Sequence, residues 1–334
     1  MIKKFNKSKV LIIGATGFVG SWLCLYLKKT NHNYLGIGLD EKKNLFHKKI
    51  KNKINFKYLD ITNQNNLFKE LDKFKPDIII NLAAYSLVHF CNIYPHISVK
   101  NNTLSTLNIL EYIRKNNHIL LINFTSDKVY KNQIKSHNET SEYGSSTIYG
   151  TTKVLSDLLA SNYKNLYKLN ILNVRCGNLY GGGDFNPNRF FSDIFQSYSL
   201  NKKLRVRSMK STRPWTYVLE LLNFMIIITQ KTYEKKIKLD YDGVNFSSKY
   251  KNYSIEDILK NIKNYMKLEW VSEKNYVSED LHLKINSTYI RNKIKYSNKF
   301  KFKETLKDTV DWYKTFYSNE DIFKKSVFQI SKIL

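Results

Sequence analysis

Short apolar runs recur through the first half of the chain at Val10–Ile13, Tyr34–Leu39, Phe56–Leu59, Ile78–Leu82, Ile119–Thr125 and Ile171–Arg175. Between them lie segments whose apolar residues return at helical spacing, the first being Ser21–Leu27. Strand-like runs alternating with helical patterns predict parallel strands joined by crossover helices, an α/β chain with a doubly wound sheet. The regularity changes after Asn178, where Gly181–Asp184 and Asn186–Asn188 make a loop-rich stretch before the aromatic, helix-like run Arg189–Ser199. A smaller second domain is therefore expected from about 179–214 plus 246–334. The first would hold 1–178 plus about 215–245, with the apolar Leu219–Ile228 returning to pack on it.

The glycines give the first chemistry. Gly14, Gly17 and Gly20 directly follow the first apolar run and open the first helical segment. Strand, glycines and helix in that order suit a dinucleotide: the backbone turns tightly, approaches the pyrophosphate and offers helix N-terminal N–H groups to the anion. The turn comprises Gly14, Thr16, Gly17, Phe18, Val19 and Gly20, and the sheet is accordingly read as Rossmann-type. Asp40 lies twenty residues beyond Gly20 at the end of the second run, placed to accept from a ribose diol and to repel a 2′-phosphate, so NAD is expected rather than NADP. Asp60 and Ile61, ending the third run, are placed to meet an adenine; Asp60 reads equally as a helix N-cap. Leu82, Ala83 and Ala84 after Asn81 read either as small residues passing under a cofactor or as a tight strand-to-helix turn.

Composition narrows the class. The 334 residues are 42% hydrophobic and 14% aromatic, a globular balance. Cys24, Cys91 and Cys176 are widely separated, with no Cys-x-x-Cys and no histidine cluster, which argues against a zinc site or disulfide framework and for a reducing, cytoplasmic setting. No stretch approaches the roughly 18–20 apolar residues of a membrane span. The formal charge of +27 invites a nucleic-acid reading. Yet the lysines are scattered among Asn and Ile, and runs such as Lys48–Lys53 carry no arginine-rich or aromatic-interleaved pattern, so a solvated surface that draws anionic small molecules is expected.

Tyr149 and Lys153 are four apart and share a face on a helix, where an ammonium favours the phenolate and lowers the tyrosine's pKa from about 10. Tyr198/Lys202 and Tyr289/Lys293 have the same spacing; Ser126 decides, since it lies just past Ile119–Thr125 on the carboxyl edge where open α/β sheets bind ligands. Glycine turn, strand-end serine and Tyr-x-x-x-Lys resemble an extended short-chain dehydrogenase/reductase. Gly17-Phe18-x-Gly20-Ser21-Trp22-Leu23, Thr125-Ser126-Asp127-Lys128-x-Tyr130, Gly177–Asp184, Arg189, Thr212–Trp215 and Asp311–Lys314 resemble the CDP-glucose 4,6-dehydratase family in order along the chain.

That resemblance implies that Tyr149 deprotonates a sugar C4 hydroxyl as hydride passes to NAD, with Ser126 on the developing oxyanion and Lys153 on the ribose. Asp127 would protonate the departing C6 hydroxyl, hydride would return to C6, and Asn178, Arg189 and Arg213 would meet the nucleotide-sugar. Lys128 stands where the related dTDP-sugar dehydratases carry a glutamate; it either takes the C5 proton or pairs with Asp127 or a phosphate. Bland readings of Asn178 and Arg213 are a loop cap and a surface arginine. The resemblance also implies a homodimer through helices near 98–115 and 150–165. Between Tyr130 and Tyr149 the chain is shorter than the family pattern, in a loop tied there to substrate selection, and Tyr217 replaces a histidine. Two further readings stand beside the dehydratase: a nucleotide-sugar 4-epimerase, which needs no acid–base pair after Ser126, and a catalytically inactive NAD-binding scaffold or sensor, for which an intact Ser126, Tyr149 and Lys153 have no use.

Overall fold

The computed structural model describes residues 8–39, 44–131, 136–249, 252–272 and 284–334. Its first half runs β1 (Lys9–Ile13), α1 (Phe18–Lys29), β2 (Asn33–Gly38), α2 (Leu45–Ile50), β3 (Phe56–Tyr58), α3 (Gln64–Phe74), β4 (Ile78–Asn81), α4 (Val88–Ile93), α5 (Pro95–Val99), α6 (Ser105–Lys115), β5 (Leu120–Phe124), α7 (Ile148–Tyr167) and β6 (Ile171–Cys176). The remainder is β7 (Leu179–Tyr180), α8 (Phe190–Ser199), β8 (Leu204–Val206), β9 (Thr216–Tyr217), α9 (Val218–Tyr233), β10 (Gly243–Phe246), α10 (Ile255–Ile262), β11 (Trp270–Ser272), α11 (Thr288–Ile294), α12 (Phe302–Tyr317) and α13 (Ile322–Ser331).

Seven strands form one parallel sheet in the order β3-β2-β1-β4-β5-β6-β10. The doubly wound sheet read from the sequence is thus present, with β10 as a further strand beside β6. Period-2 geometry splits each apolar run between the two faces. Val10 and Ile12 enter one core with Trp22 of α1 and Leu222 of α9, whereas Leu11 and Ile13 enter the other with Leu67 of α3 and Ile109 and Ile113 of α6. Both faces are covered, which is why the strands read as continuous rather than alternating apolar runs. The first core continues without a break into the C-terminal elements through Leu306, Val310 and Trp312 of α12.

Polar residues interrupt this interior at one level. Asn81, Asn123 and Asn173 are register partners on β4, β5 and β6, and each amide bonds the next: Asn81 Nδ2 donates to Asn123 Oδ1 at 3.0 Å, and Asn123 Nδ2 to Asn173 Oδ1 at 2.8 Å. The sheet order reverses around β1, with β2 on one side and β4 on the other. A crevice opens at that switch point beyond the carboxyl ends of the strands, as expected for open α/β sheets.

Candidate active site

The crevice is a cavity of about 550 Å³ lined from the carboxyl ends of β1 to β6. At the end of β1, Gly14 adopts φ +85°, a conformation that glycine takes without strain, and a Cβ there would fall 2.8 Å from the Ala83 nitrogen. At Gly20 the reason is contact: its Cβ would lie 2.1 Å from the Gly14 carbonyl oxygen. Gly17 is the N-cap of α1 and brings no side-chain cap, so the helix's first N–H groups are left to the cavity, which Thr16, Gly17, Phe18, Val19 and Gly20 line. This is the cradle a pyrophosphate fits.

Ile61, Leu82, Ala83 and Ala84 line the same cavity; Ala83 N–H is held by Asn81 Oδ1 at 3.2 Å. Asp60 is not among the lining residues. It is exposed and closes a local turn, accepting from Thr62 N–H at 2.9 Å and the Thr62 hydroxyl at 2.8 Å, while the α3 N-cap is Asn63, so the N-cap reading of Asp60 does not match its place. Its neighbours Leu59 and Ile61 face the cavity instead. Asp40 lies outside the described residues.

At the end of β5 the chain makes a single 3-10 turn, Asp127–Val129, capped by Ser126, whose Oγ accepts from Lys128 N–H at 3.2 Å. Asp127 is buried at 3% exposure; its Oδ1 accepts from the Ser126 hydroxyl at 3.0 Å and its Oδ2 from Asn178 Nδ2 at 3.3 Å. Asn178 is left-handed, with φ 51°, which turns its amide back toward β5 from the end of β6. Lys128 is half-buried and lines the cavity.

Helix α7 brings Tyr149 and Lys153 over the same edge. The other two pairs of this spacing do not reach it: Tyr289 and Lys293 share Asp240 at the surface, and neither Tyr198 nor Lys202 lines the cavity. Ser126 is hydrogen-bonded to Tyr149. The electrostatics correct the expectation for Tyr149. Burial pushes its phenol up to about 12, against the opposing pull of Ser126 and the Arg189 charge. The Lys153 Nζ donates to the Phe124 carbonyl at 3.1 Å, and burial brings the ammonium down to about 8 even though Asp157 opposes the change.

Arg189 and Arg213 line the far end of the cavity. Arg189 pairs with the buried Asp184 at 3.0 Å and donates to the Ser86 hydroxyl at 2.6 Å, which ties the arginine to the loop after β4. Arg213 donates to the Thr212 carbonyl at 2.9 Å, with the aromatic Trp215 and Phe190 also on the cavity wall. Ser86 was not singled out from the sequence, and Gly177 entered only as the first residue of the Gly177–Asp184 segment. Each acts at the site through a partner distant in the chain, Ser86 through Arg189 and Gly177 through Asp127. None of the described residues of the shortened segment, Lys131 and 136–147, lines the cavity. His137 of this segment stacks on the buried Tyr130, and Glu139 accepts from Asn245 N–H at 3.0 Å.

Residues 10–242 match the NAD dependent epimerase/dehydratase family. The chain belongs to that family. It is 28% identical to the CDP-glucose 4,6-dehydratase of Salmonella typhimurium, over 98% of this chain and 97% of that protein. In structure it resembles the dTDP-glucose 4,6-dehydratase of Bacillus anthracis in complex with NAD, with a TM-score of 0.77 at 20% identity, covering 96% and 99% of the two chains. It resembles equally the UDP-glucose 4-epimerase of Thermotoga maritima, with a TM-score of 0.80 at 18% identity, covering 92% and 99%. NAD is the cofactor of this family, and the glycine cradle and small residues at Ala83 and Ala84 fit it. Among the described residues no helix is long and apolar enough to cross a membrane, and no cluster of ligating side chains is present for a metal.

Proposed function

We propose that the protein is a nucleotide-sugar 4,6-dehydratase acting on CDP-D-glucose, which it converts to CDP-4-dehydro-6-deoxy-D-glucose with loss of water. At the coarser level it is an NAD-dependent member of the epimerase/dehydratase group. The observation that carries the finer reading is Asp127, a buried carboxyl fixed between Ser126 and Asn178 on the cavity floor, one residue before a cavity-lining lysine. A 4-epimerase has no use for an acid there. Overall shape does not separate the two, since dehydratase and epimerase structures fit the chain equally well.

NAD held by Gly14–Gly20, Ile61 and Leu82–Ala84 supplies the hydride acceptor and donor. The protein's own residues handle protons. Tyr149 exchanges the proton of the C4 hydroxyl, Ser126 bonds the same oxygen, and Lys153 is the neighbouring cation. The C4 ketone acidifies the C5 hydrogen; Lys128, entering as the neutral amine, takes that proton, Asp127, entering as the carboxylic acid, delivers one to the departing C6 hydroxyl, and Lys128 gives its proton back to C5 as hydride returns to C6. Arg189 and Arg213 suit a diphosphate because guanidinium forks bind its oxygens in pairs.

Dimerisation rests on a surface. Ile93, Tyr94, Ile97, Val99, Leu104, Leu155 and Leu158 are exposed large apolar residues on α4, α5, the 100–104 segment and α7, elements that pack against one another. A clustered apolar face of this kind marks an association surface, and a second copy of this chain is the partner proposed.

The test is incubation with NAD and, separately, CDP-, dTDP-, UDP- and GDP-linked hexoses, following product mass and the alkaline ultraviolet band of a 4-keto sugar. Loss of water from CDP-glucose alone is expected. Loss from another nucleotide would move the substrate, and an unchanged mass with inverted C4 would replace the dehydratase by the epimerase.

A further inference from the structure

Beneath the cavity floor lies an ion pair that the reaction above does not use. Asp157 on α7 and Arg175 on β6 are 0% and 3% exposed as side chains and meet face to face: Arg175 Nε reaches Asp157 Oδ2 at 3.0 Å, and Nη2 reaches Oδ1 at 2.9 Å. Neither residue lines the cavity. A buried pair of this kind is no guarantee of stability, because the desolvation of both ions offsets their attraction. Its bonds run to the site.

The Thr125 hydroxyl donates to Asp157 Oδ2 at 2.7 Å, and Arg175 Nη1 donates to the Tyr130 hydroxyl at 2.9 Å. Thr125 and Tyr130 are the residues just before and shortly after Ser126, Asp127 and Lys128, so one ion pair grips both ends of the turn that bears all three. Asp157 also stands one helical turn beyond Lys153 on α7, and Arg175 precedes Cys176, Gly177 and Asn178, the last of which holds Asp127. Tyr143 completes the enclosure: its hydroxyl donates to Asp157 at 2.9 Å and accepts from Arg175 at 2.5 Å. The shortened loop is thereby attached to the same point.

We propose that the Asp157–Arg175 pair is a positioning device that fixes the Ser126–Lys128 turn at its working distance from Tyr149 and Lys153, acting through Thr125 at one end and Tyr130 at the other. The proposal rests on the dehydratase reading for what the turn does, and on geometry alone for how the turn is held. Asp157 and Arg175 touch no reactant; they are positioning residues.

Asp157→Asn strands a buried guanidinium and risks misfolding, so the deciding variants are Thr125→Val and Tyr130→Phe, each of which removes one hydroxyl and leaves the pair intact. On whichever nucleotide-hexose the parent protein turns over, each variant is expected to lower kcat by about tenfold or more, with KM and NAD affinity within about twofold, since small misplacement of reacting groups acts on rate rather than binding. Thr125→Ser, which keeps the hydroxyl, is expected to restore kcat. A kcat within about twofold of the parent in both deletions, or a loss in Thr125→Val that serine does not rescue, overturns the proposal.

A second readout needs no substrate. In the protein alone, amide hydrogen exchange over the 126–130 segment is expected to quicken in both deletions and not in Thr125→Ser, by more than the drop in global stability read from the denaturation midpoint accounts for. Unchanged exchange there refutes the positioning role. If the parent turns over no hexose, the dehydratase reading falls and exchange alone judges the device.

Discussion

Gly177→Ala tests whether the placement of Asp127, rather than its mere presence, governs elimination. A Cβ at position 177 would lie 2.2 Å from Asp127 Oδ2 and 2.3 Å from both Cγ and Oδ1, against about 3.4 Å for an ordinary contact. The carboxyl must therefore retreat by about 1.2 Å, the difference between those two distances. It has little freedom to do so, being buried and held by Ser126 at 3.0 Å and Asn178 at 3.3 Å. Losing one bond to a charged group costs about 1.5–3 kcal/mol, and a displacement of about 1 Å at a reacting group costs up to about a hundredfold in rate. The expectation is a 10- to 100-fold slower elimination (order of magnitude) in a protein that still folds and binds NAD. A quenched-flow assay with CDP-glucose separates the steps by mass: the oxidised hexose that has kept its C6 oxygen should accumulate in Gly177→Ala, as it should in Asp127→Asn. If Gly177→Ala loses water at the parent rate while Asp127→Asn does not, the carboxyl is not held as argued.

Three other outcomes follow from the site and the surface. Lys128→Met is expected to block water loss while C4 oxidation persists; near-normal turnover would remove Lys128 from the mechanism. Lys153 is depressed by burial to about 8 in the folded protein, so it charges at a cost when folded below that pH and both states are neutral well above the ordinary lysine value. Its contribution to stability therefore rises between about pH 8 and 10.4, and urea titrations should show the stability of Lys153→Met relative to the parent falling by up to about 3 kcal/mol over that window; a pH-independent difference would contradict the shift. Leu158→Glu, on the exposed apolar face, is expected to yield a monomer by light scattering, whereas an unchanged dimer would place the interface elsewhere.

The sequence was most legible where a pattern is local. Glycine spacing located the cradle at Gly14–Gly20 because strand, turn and helix are contiguous, and Tyr149 with Lys153 was legible from helical periodicity once Ser126 fixed the sheet edge. β10 was not read as a strand: Gly243–Phe246 contains only two clearly apolar residues and qualifies as sheet only because β6 is there to pair with it. Asp60 illustrates the opposite failure, since a carboxylate at a strand end satisfied the local rule for an N-cap, yet Asn63 takes the cap. The ionisation of Tyr149 was hidden for a different reason. Helical spacing places Lys153 on the right face, but its Nζ bonds the Phe124 carbonyl, 29 residues away, and the burial of both groups is set by the tertiary fold.

The asparagines of β4, β5 and β6 have a consequence for assembly. In a parallel sheet of isoleucines and leucines, neighbouring strands tolerate sliding, because one apolar side chain replaces another. Sliding by one residue would turn an asparagine to the opposite core, and sliding by two would set it against an apolar neighbour; either leaves buried amide groups without partners, at about 1–3 kcal/mol each. The three amides thus work as a key that only one alignment accepts. That alignment delivers the loop after Asn81 and the turn after Phe124 to the same level of the sheet edge, so that Ala83 and Ser126 line one cavity.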